Sequence, residues 1–181
     1  MALQQTFGRD HYYNSMVVGD LGNKVFPPVS AKEAFLDNYH YLKKRVYDNG
    51  LPNFGRIQVF RNEAAIAPGH CLVFGSSSSY SMLSYLTRVF TTLTLVHSAG
   101  NTDAALVRQL KPDYLVGQTN ERFAVRAPTI DYKVADAIAQ KLNGYSATEL
   151  AQQTAALEQK YPFADDPLIA VLHAMYSSKN G

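Results

Sequence analysis

The stretch Cys71–Leu83, CLVFGSSSSYSML, holds the residues whose types and spacing best suit chemistry. An apolar run stops at Gly75, four serines follow, and apolar spacing resumes at Met82. Glycine lets the backbone turn sharply off a strand. The residues after it then lie at the start of the next helix, where unpaired N–H groups and the helix dipole stabilise negative charge. A serine in such a turn can attack a carbonyl carbon while neighbouring amides hold the oxyanion. The same turn would equally hold a phosphate or sulfate, or serve only as a helix cap.

A serine nucleophile needs a base. Of the five histidines, His97 lies at the end of the next predicted strand and is the best placed by topology. His11 and His40 lie in the N-terminal region, His70 at the opposite edge of the sheet, and His173 in the last helix. Asn120-Glu121-Arg122 follows the third strand. Asn120 can donate to an oxyanion, and Arg122 can bind an anion or a sugar hydroxyl. The plainer alternative is a Glu121–Arg122 pair that fixes the loop.

The elements that must position these groups alternate. Arg56–Phe60, Cys71–Phe74, Leu93–Val96 and Tyr114–Val116 read as strands, with Asn62–Gly69 as a loop. Helical spacing links Met82, Leu83, Leu86, Val89 and Phe90, and again Leu106, Val107 and Leu110, the second helix capped by Asn101 or Thr102. This order predicts an α/β fold in three layers, a mostly parallel sheet flanked by helices. Ligands in such sheets sit at the carboxyl ends of the strands, here Gly75–Ser79, His97–Asn101 and Gln118–Arg122.

Upstream, Ser30 with Glu33 forms a capping-box pattern, and Ala34, Phe35, Tyr39 and Leu42 recur at helical spacing toward Tyr47. Residues 1–54 are therefore expected to be irregular apart from one helix. Downstream, residues 131–181 form a helical C-terminal extension to a 1–130 α/β domain. Its helices run through Val134–Leu142, from a Ser146–Glu149 capping box to Lys160, and onward from Asp166-Pro167.

Composition narrows the function classes. At 181 residues, with 46% hydrophobic and 18% charged, the chain can bury a real core. A net charge of +2 does not ask for nucleic acid. Cys71, the single cysteine, can form neither an internal disulfide nor a cysteine-based metal site, and its apolar surroundings suit a buried small residue. No metal or cofactor is implied. No apolar stretch approaches the ~20 residues of a membrane span. The N-terminus lacks a signal-peptide pattern, so the chain as it stands is expected in the cytoplasm, or in the periplasm if an N-terminal segment is missing.

Several motifs occur in a familiar order: Gly19-Asp20-Leu21-Gly22, Arg56-Ile57-Gln58-Val59-Phe60, Gly75-Ser76-Ser77-Ser78-Ser79, Met82-Leu83-Ser84-Tyr85-Leu86, Lys111-Pro112-Asp113 and Glu121-Arg122-Phe123. Residues 17–125 thereby resemble the SGNH-hydrolase-like domain of the alginate O-acetyltransferase group, which acts in bacterial exopolysaccharide modification. The resemblance implies an SGNH-like fold, and it places Ser77 at the acyl-accepting nucleophile. Two departures stand out. Ser76 replaces the Asp that precedes the nucleophile, and the family's upstream Asp-x-His pair has no counterpart, since Asp10-His11 are adjacent and lie close before Gly19.

Three readings follow. One is serine acyl transfer, a carbohydrate O-acetyltransferase or esterase, with Ser77 and His97 catalytic and Gly75, Ser78, Asn120 and Arg122 holding oxyanion or substrate. Another is a non-catalytic glycan-binding or accessory module of polysaccharide biosynthesis. A phosphate- or nucleotide-binding module ranks lowest, because both G-x-G-x-x-G and P-loop patterns are missing. The partner expected is a carbohydrate or an acyl-donor small molecule. An imidazole within hydrogen-bond reach of Ser77 would mark an enzyme; an empty neighbourhood would mark a binding relative.

Overall fold

The computed structural model describes residues 2–18, 22–121, 127–161 and 165–177. The chain divides into two compact units, Met1–Lys43 and Lys44–Gly181.

In the first unit, helix α1 (Ala2–Phe7) precedes two antiparallel strands, β1 (Tyr12–Val17) and β2 (Ala31–Leu36). Tyr12 pairs with Leu36 and Val17 with Ala31, and the Tyr13 and Phe35 rings stack at 5.5 Å. Asn38 closes the open end: its Oδ1 accepts from the His11 amide at 3.1 Å, and its Nδ2 donates to the Arg9 carbonyl at 2.7 Å.

This overturns the helix expected from Ser30 toward Tyr47. Residues 31–36 form β2, Tyr41–Lys44 a single 3-10 turn, and Arg45–Asp48 strand β3 of the second unit. The i, i+3, i+4 pattern was real but weak, and pairing with a segment nearly twenty residues away outweighed local propensity.

The second unit is an α/β fold around one mixed five-stranded sheet. Its strands are β3, β4 (Ile57–Arg61), β5 (Ala67–Gly75), β6 (Phe90–His97) and β7 (Tyr114–Gly117), in the order β3-β4-β6-β5-β7. The pairs β5–β6 and β5–β7 are parallel, whereas β3–β4 and β4–β6 are antiparallel. The strands from Arg56 onward therefore form near their expected places. Two details differ: the sheet is mixed, and β5 begins at Ala67, inside the expected loop.

Alternation assigns the faces. Ile57, Val59, Leu72, Phe74 and Val96 share one core with Leu106 of helix α3 (Ala104–Leu110). Joining the same core are Val134, Ile138 and Leu142 of α4 (Val134–Leu142), Leu157 of α5 (Ala147–Lys160), and Ile169, Leu172 and Tyr176 of α6 (Pro167–Ser177). Each such side chain contributes about 1.5–3 kcal/mol on full burial, so these three helices are part of what stabilises the sheet. The opposite parity, Phe60, Cys71, Val73, Leu93 and Leu95, is also buried. Cys71 is a fully buried free thiol, as its apolar neighbours predict.

Caps set the helix starts. Ser146 Oγ accepts from the Glu149 amide while Glu149 Oε2 accepts from the Ser146 amide, the expected capping box. Asp166 Oδ1 caps α6 through the Leu168 amide at 3.1 Å. For α3 the cap is Asp103, not Asn101 or Thr102: its Oδ1 accepts from the Ala105 and Leu106 amides, both at 3.0 Å. Its other oxygen accepts from the Val134 amide at 3.0 Å, tying the start of α4 to the start of α3. A carboxylate meets both demands where a hydroxyl or amide would meet one.

Among the described residues, no helix is long and apolar enough to cross a membrane.

Candidate functional site

After β5 the chain crosses to β6 on one side. After β6 it returns over the sheet to β7, on the other side of β5. Right-handed crossovers send two such connections to opposite faces, which makes the carboxyl ends of β5 and β6 the usual ligand position in a sheet of this order.

Gly75 and His97 are register partners at those two ends. The Gly75 carbonyl accepts from both the Ser98 and Ala99 amides at 2.8 Å. Gly100, at φ +91°, lets the β6 loop approach the third end: a Cβ there would lie 3.0 Å from the Gln118 carbonyl oxygen and 3.1 Å from Thr119 Cβ. The three polar strand ends therefore meet.

The four serines separate into two kinds. Ser76 is buried and caps the 3-10 turn Ser77–Met82, which runs into helix α2 (Leu83–Val89). Its backbone N–H and its hydroxyl reach Gln118 Oε1 at 2.9 and 2.8 Å, with Asn120 Oδ1 a second acceptor for that hydroxyl at 3.2 Å. Ser79, also buried, donates to Gln118 Oε1 at 2.7 Å. Ser77 and Ser78 are exposed. The Ser78 amide is already engaged with Ser76 Oγ at 3.3 Å, a weak cap bond, so it is not a wholly free oxyanion donor.

Gln118 and Asn120 are oriented unambiguously. Gln118 Nε2 donates to the Thr119 carbonyl and to Asn120 Oδ1, each at 3.0 Å. Reversing the Gln118 amide would set its NH2 against the Ser76 N–H, so the donor pattern fixes the assignment. With Asn120 Oδ1 accepting from Ser76 and Gln118, its NH2 remains the end suited to donate elsewhere.

His97 occupies the expected strand end but not the expected contact. It is only 6% exposed, and neither ring nitrogen has a hydrogen-bond partner, so it does not bond to Ser77. Its ring lies edge-on to Phe54 at 5.5 Å and tilted to Tyr80 at 6.4 Å. Burial lowers its pKa, and the charges of Arg56 and Lys141 lower it further, so the imidazole is neutral at pH 7. Arg56 lies with its guanidinium carbon 5.9 Å from the Tyr80 ring centre and binds Asp48 in two bonds, Nε–Oδ1 at 3.1 Å and Nη2–Oδ2 at 2.8 Å.

The remaining histidines are elsewhere. His70 lies within β5 with Nε2 2.9 Å from Thr94 Oγ1. His173 stacks on Tyr176 within α6, and His11 and His40 belong to the first unit. Glu121 is exposed. Arg122 and Phe123, like Gly19-Asp20-Leu21, lie outside the described residues. Among the described residues, no group of His, Cys, Asp and Glu is arranged to hold a metal.

Sequence reasoning assigned no individual role to Gln118, Phe54, Tyr80 or Arg56. Only Gln118 carried a signal: it is the first polar residue after the apolar run of β7, beside the serine turn by sheet order.

No family model matches the chain, and no curated protein does. Among solved structures, that of Bacillus cereus PatB1 with a sulfonyl adduct is similar at a TM-score of 0.43 and 10% identity, over 62% of this chain and 47% of that one. The chain thus matches about half the length of that protein.

Proposed function

We propose that this chain is an SGNH-like serine acyl-transfer domain acting on carbohydrate, as an O-acetyltransferase or esterase, with Ser77 the acyl-carrying residue. One observation carries the reading: Ser76 and Ser79 are committed to Gln118, while Ser77 stands exposed in the turn that leaves the carboxyl end of β5. In the reaction, Ser77 Oγ bonds to the acyl carbon and the carbonyl electron pair moves to oxygen. Asn120 Nδ2 and the Ser78 amide, which exchanges its weak 3.3 Å bond to Ser76 Oγ for the new one, hold that oxyanion. The serine proton passes to His97, which burial keeps in the proton-accepting form and which must turn out from between Phe54 and Tyr80 to reach. Collapse expels the donor's alcohol or thiol, which takes up the proton. A sugar hydroxyl or water then attacks the acyl-serine, its proton passing to His97; the acyl–Oγ bond breaks, the acyl group leaves on the acceptor, and the proton returns to Ser77 Oγ. The test is consumption of an activated acetyl ester. Ser77→Ala should abolish it, and a variant reacting at the wild-type rate would remove the reading.

A second reading, a non-catalytic glycan-binding or accessory module, is favoured by the buried, unpartnered His97 ring. It expects saccharide binding by calorimetry together with no turnover of the ester by the wild-type protein.

A further inference from the structure

We infer that Gln118 is the positioning residue of the serine turn, the group that presents Ser77 by fixing Ser76 just before it and Ser79 two residues after it. This rests on the acyl-transfer reading for its consequence, but not for its geometry. Gln118 directly follows β7, a strand that comes after β6 in sequence and lies beside β5 only through the β5–β7 pairing. Its backbone is anchored there by the Gln118 amide donating to the Phe74 carbonyl at 2.8 Å. From that fixed point one carboxamide oxygen gathers the Ser76 N–H, the Ser76 hydroxyl and the Ser79 hydroxyl, at 2.9, 2.8 and 2.7 Å.

These contacts bracket Ser77 on both sides. Ser76 immediately precedes it, and Ser79 closes the first 3-10 turn through its amide to the Ser76 carbonyl at 2.9 Å. The turn is otherwise thinly held. A 3-10 turn has poorer hydrogen-bond geometry than an α-helix, and the side-chain cap on the Ser78 amide is long at 3.3 Å. A side-chain acceptor anchored on a neighbouring strand therefore sets where the Ser77 hydroxyl points. Gln meets both needs, since its NH2 is held by the Thr119 carbonyl and Asn120 Oδ1. A carboxylate at 118 would keep the acceptor but face those two oxygens with like charge.

The experiment combines two readouts on Gln118→Leu, Gln118→Glu and Ser79→Ala in the full chain. The first is the rate at which a fluorophosphonate labels Ser77; the second is hydrogen exchange of the peptide spanning residues 76–82. Misplacement by about an ångström costs on the order of 100-fold in such reactions. Gln118→Leu should therefore slow labelling by roughly 10- to 100-fold and raise exchange in 76–82 alone, with Gln118→Glu intermediate. Ser79→Ala, the milder change, should give the same pattern at smaller size if Gln118→Leu fails to fold. Wild-type labelling and exchange in all three variants would overturn the inference. If the wild-type protein is not labelled at all, the acyl-transfer reading fails, and exchange alone decides the role of Gln118.

Discussion

Ser79 fills the space that a side chain on Gly75 would need. A Cβ built on Gly75 overlaps Ser79 Oγ and comes within 2.9 Å of Ser79 Cβ. The glycine is thus required by close approach of the turn to the strand end and not by backbone angle, because its φ is not in the left-handed region. Gly75→Ala should cost about 1–3 kcal/mol in urea unfolding, the usual range for overpacking a filled site. Adding Ser79→Ala should recover part of that loss, since the two residues are in contact and their effects are not additive. A Gly75→Ala protein of wild-type stability would contradict this packing.

Ser76 and Ser77 are neighbours with opposite stability roles. Ser76→Ala removes an N-cap and the bonds to Gln118 and Asn120, and should cost about 1–2 kcal/mol. Ser77→Ala, at an exposed position, should stay within about 0.5 kcal/mol of wild type. Equal losses measured by thermal unfolding would mean that the two serines are not distinguished as described.

Asp48 is buried and accepts from Arg45, Arg56, Gln58 and the Gly50 amide. Burial alone would raise its pKa; the Arg56 hydrogen bonds and charge, with help from Gly50 and Gln58, more than offset this and hold it below the usual carboxylate value. Asp48→Asn should cost about 2–3 kcal/mol, less than for a fully buried pair because both arginines keep some solvent contact. The stabilisation belongs to the carboxylate, so in the wild type it is present above the unfolded pKa and lost as pH falls through the folded one. Unfolding measured from pH 7 to pH 2 should show that loss in the wild type and its absence in Asp48→Asn.

His97 gives a second acid signature in a higher window. Its folded pKa lies below its unfolded value near 6.5. Below that value the unfolded chain binds a proton that the folded chain does not, so stability falls with pH until the folded pKa is reached. His70 and His173 are lowered by burial as well and act in the same sense. His97→Phe should therefore flatten, without abolishing, the slope of stability just below pH 6.5. An unchanged slope would mean that His97 already carries its proton in the folded protein.

The sheet was legible because β4, β5 and β6 carry short, largely apolar stretches, residues 57–60, 71–74 and 93–96, and burial on both faces demands such stretches. The strand end at Gly75 and the turn after it were legible for the same reason. The β1–β2 pair was not: Tyr12 and Leu36 meet only through tertiary pairing, and β2 reads locally as a weak helix. Placing His97 at the neighbouring strand end followed from topology, whereas its burial between Phe54 and Tyr80 depends on a loop and a turn that carry no periodicity. The role of Gln118 needed the knowledge that β7 lies beside β5, a sheet order that strand count alone does not supply.

The most direct measurement is intact-mass analysis after treatment with a fluorophosphonate, with the modified peptide sequenced. An acyl-transfer site predicts one adduct, on Ser77, formed by the wild-type chain and lost in Ser77→Ala while Ser78→Ala retains it. No adduct on the folded wild-type protein, or an adduct on another residue, would contradict the account.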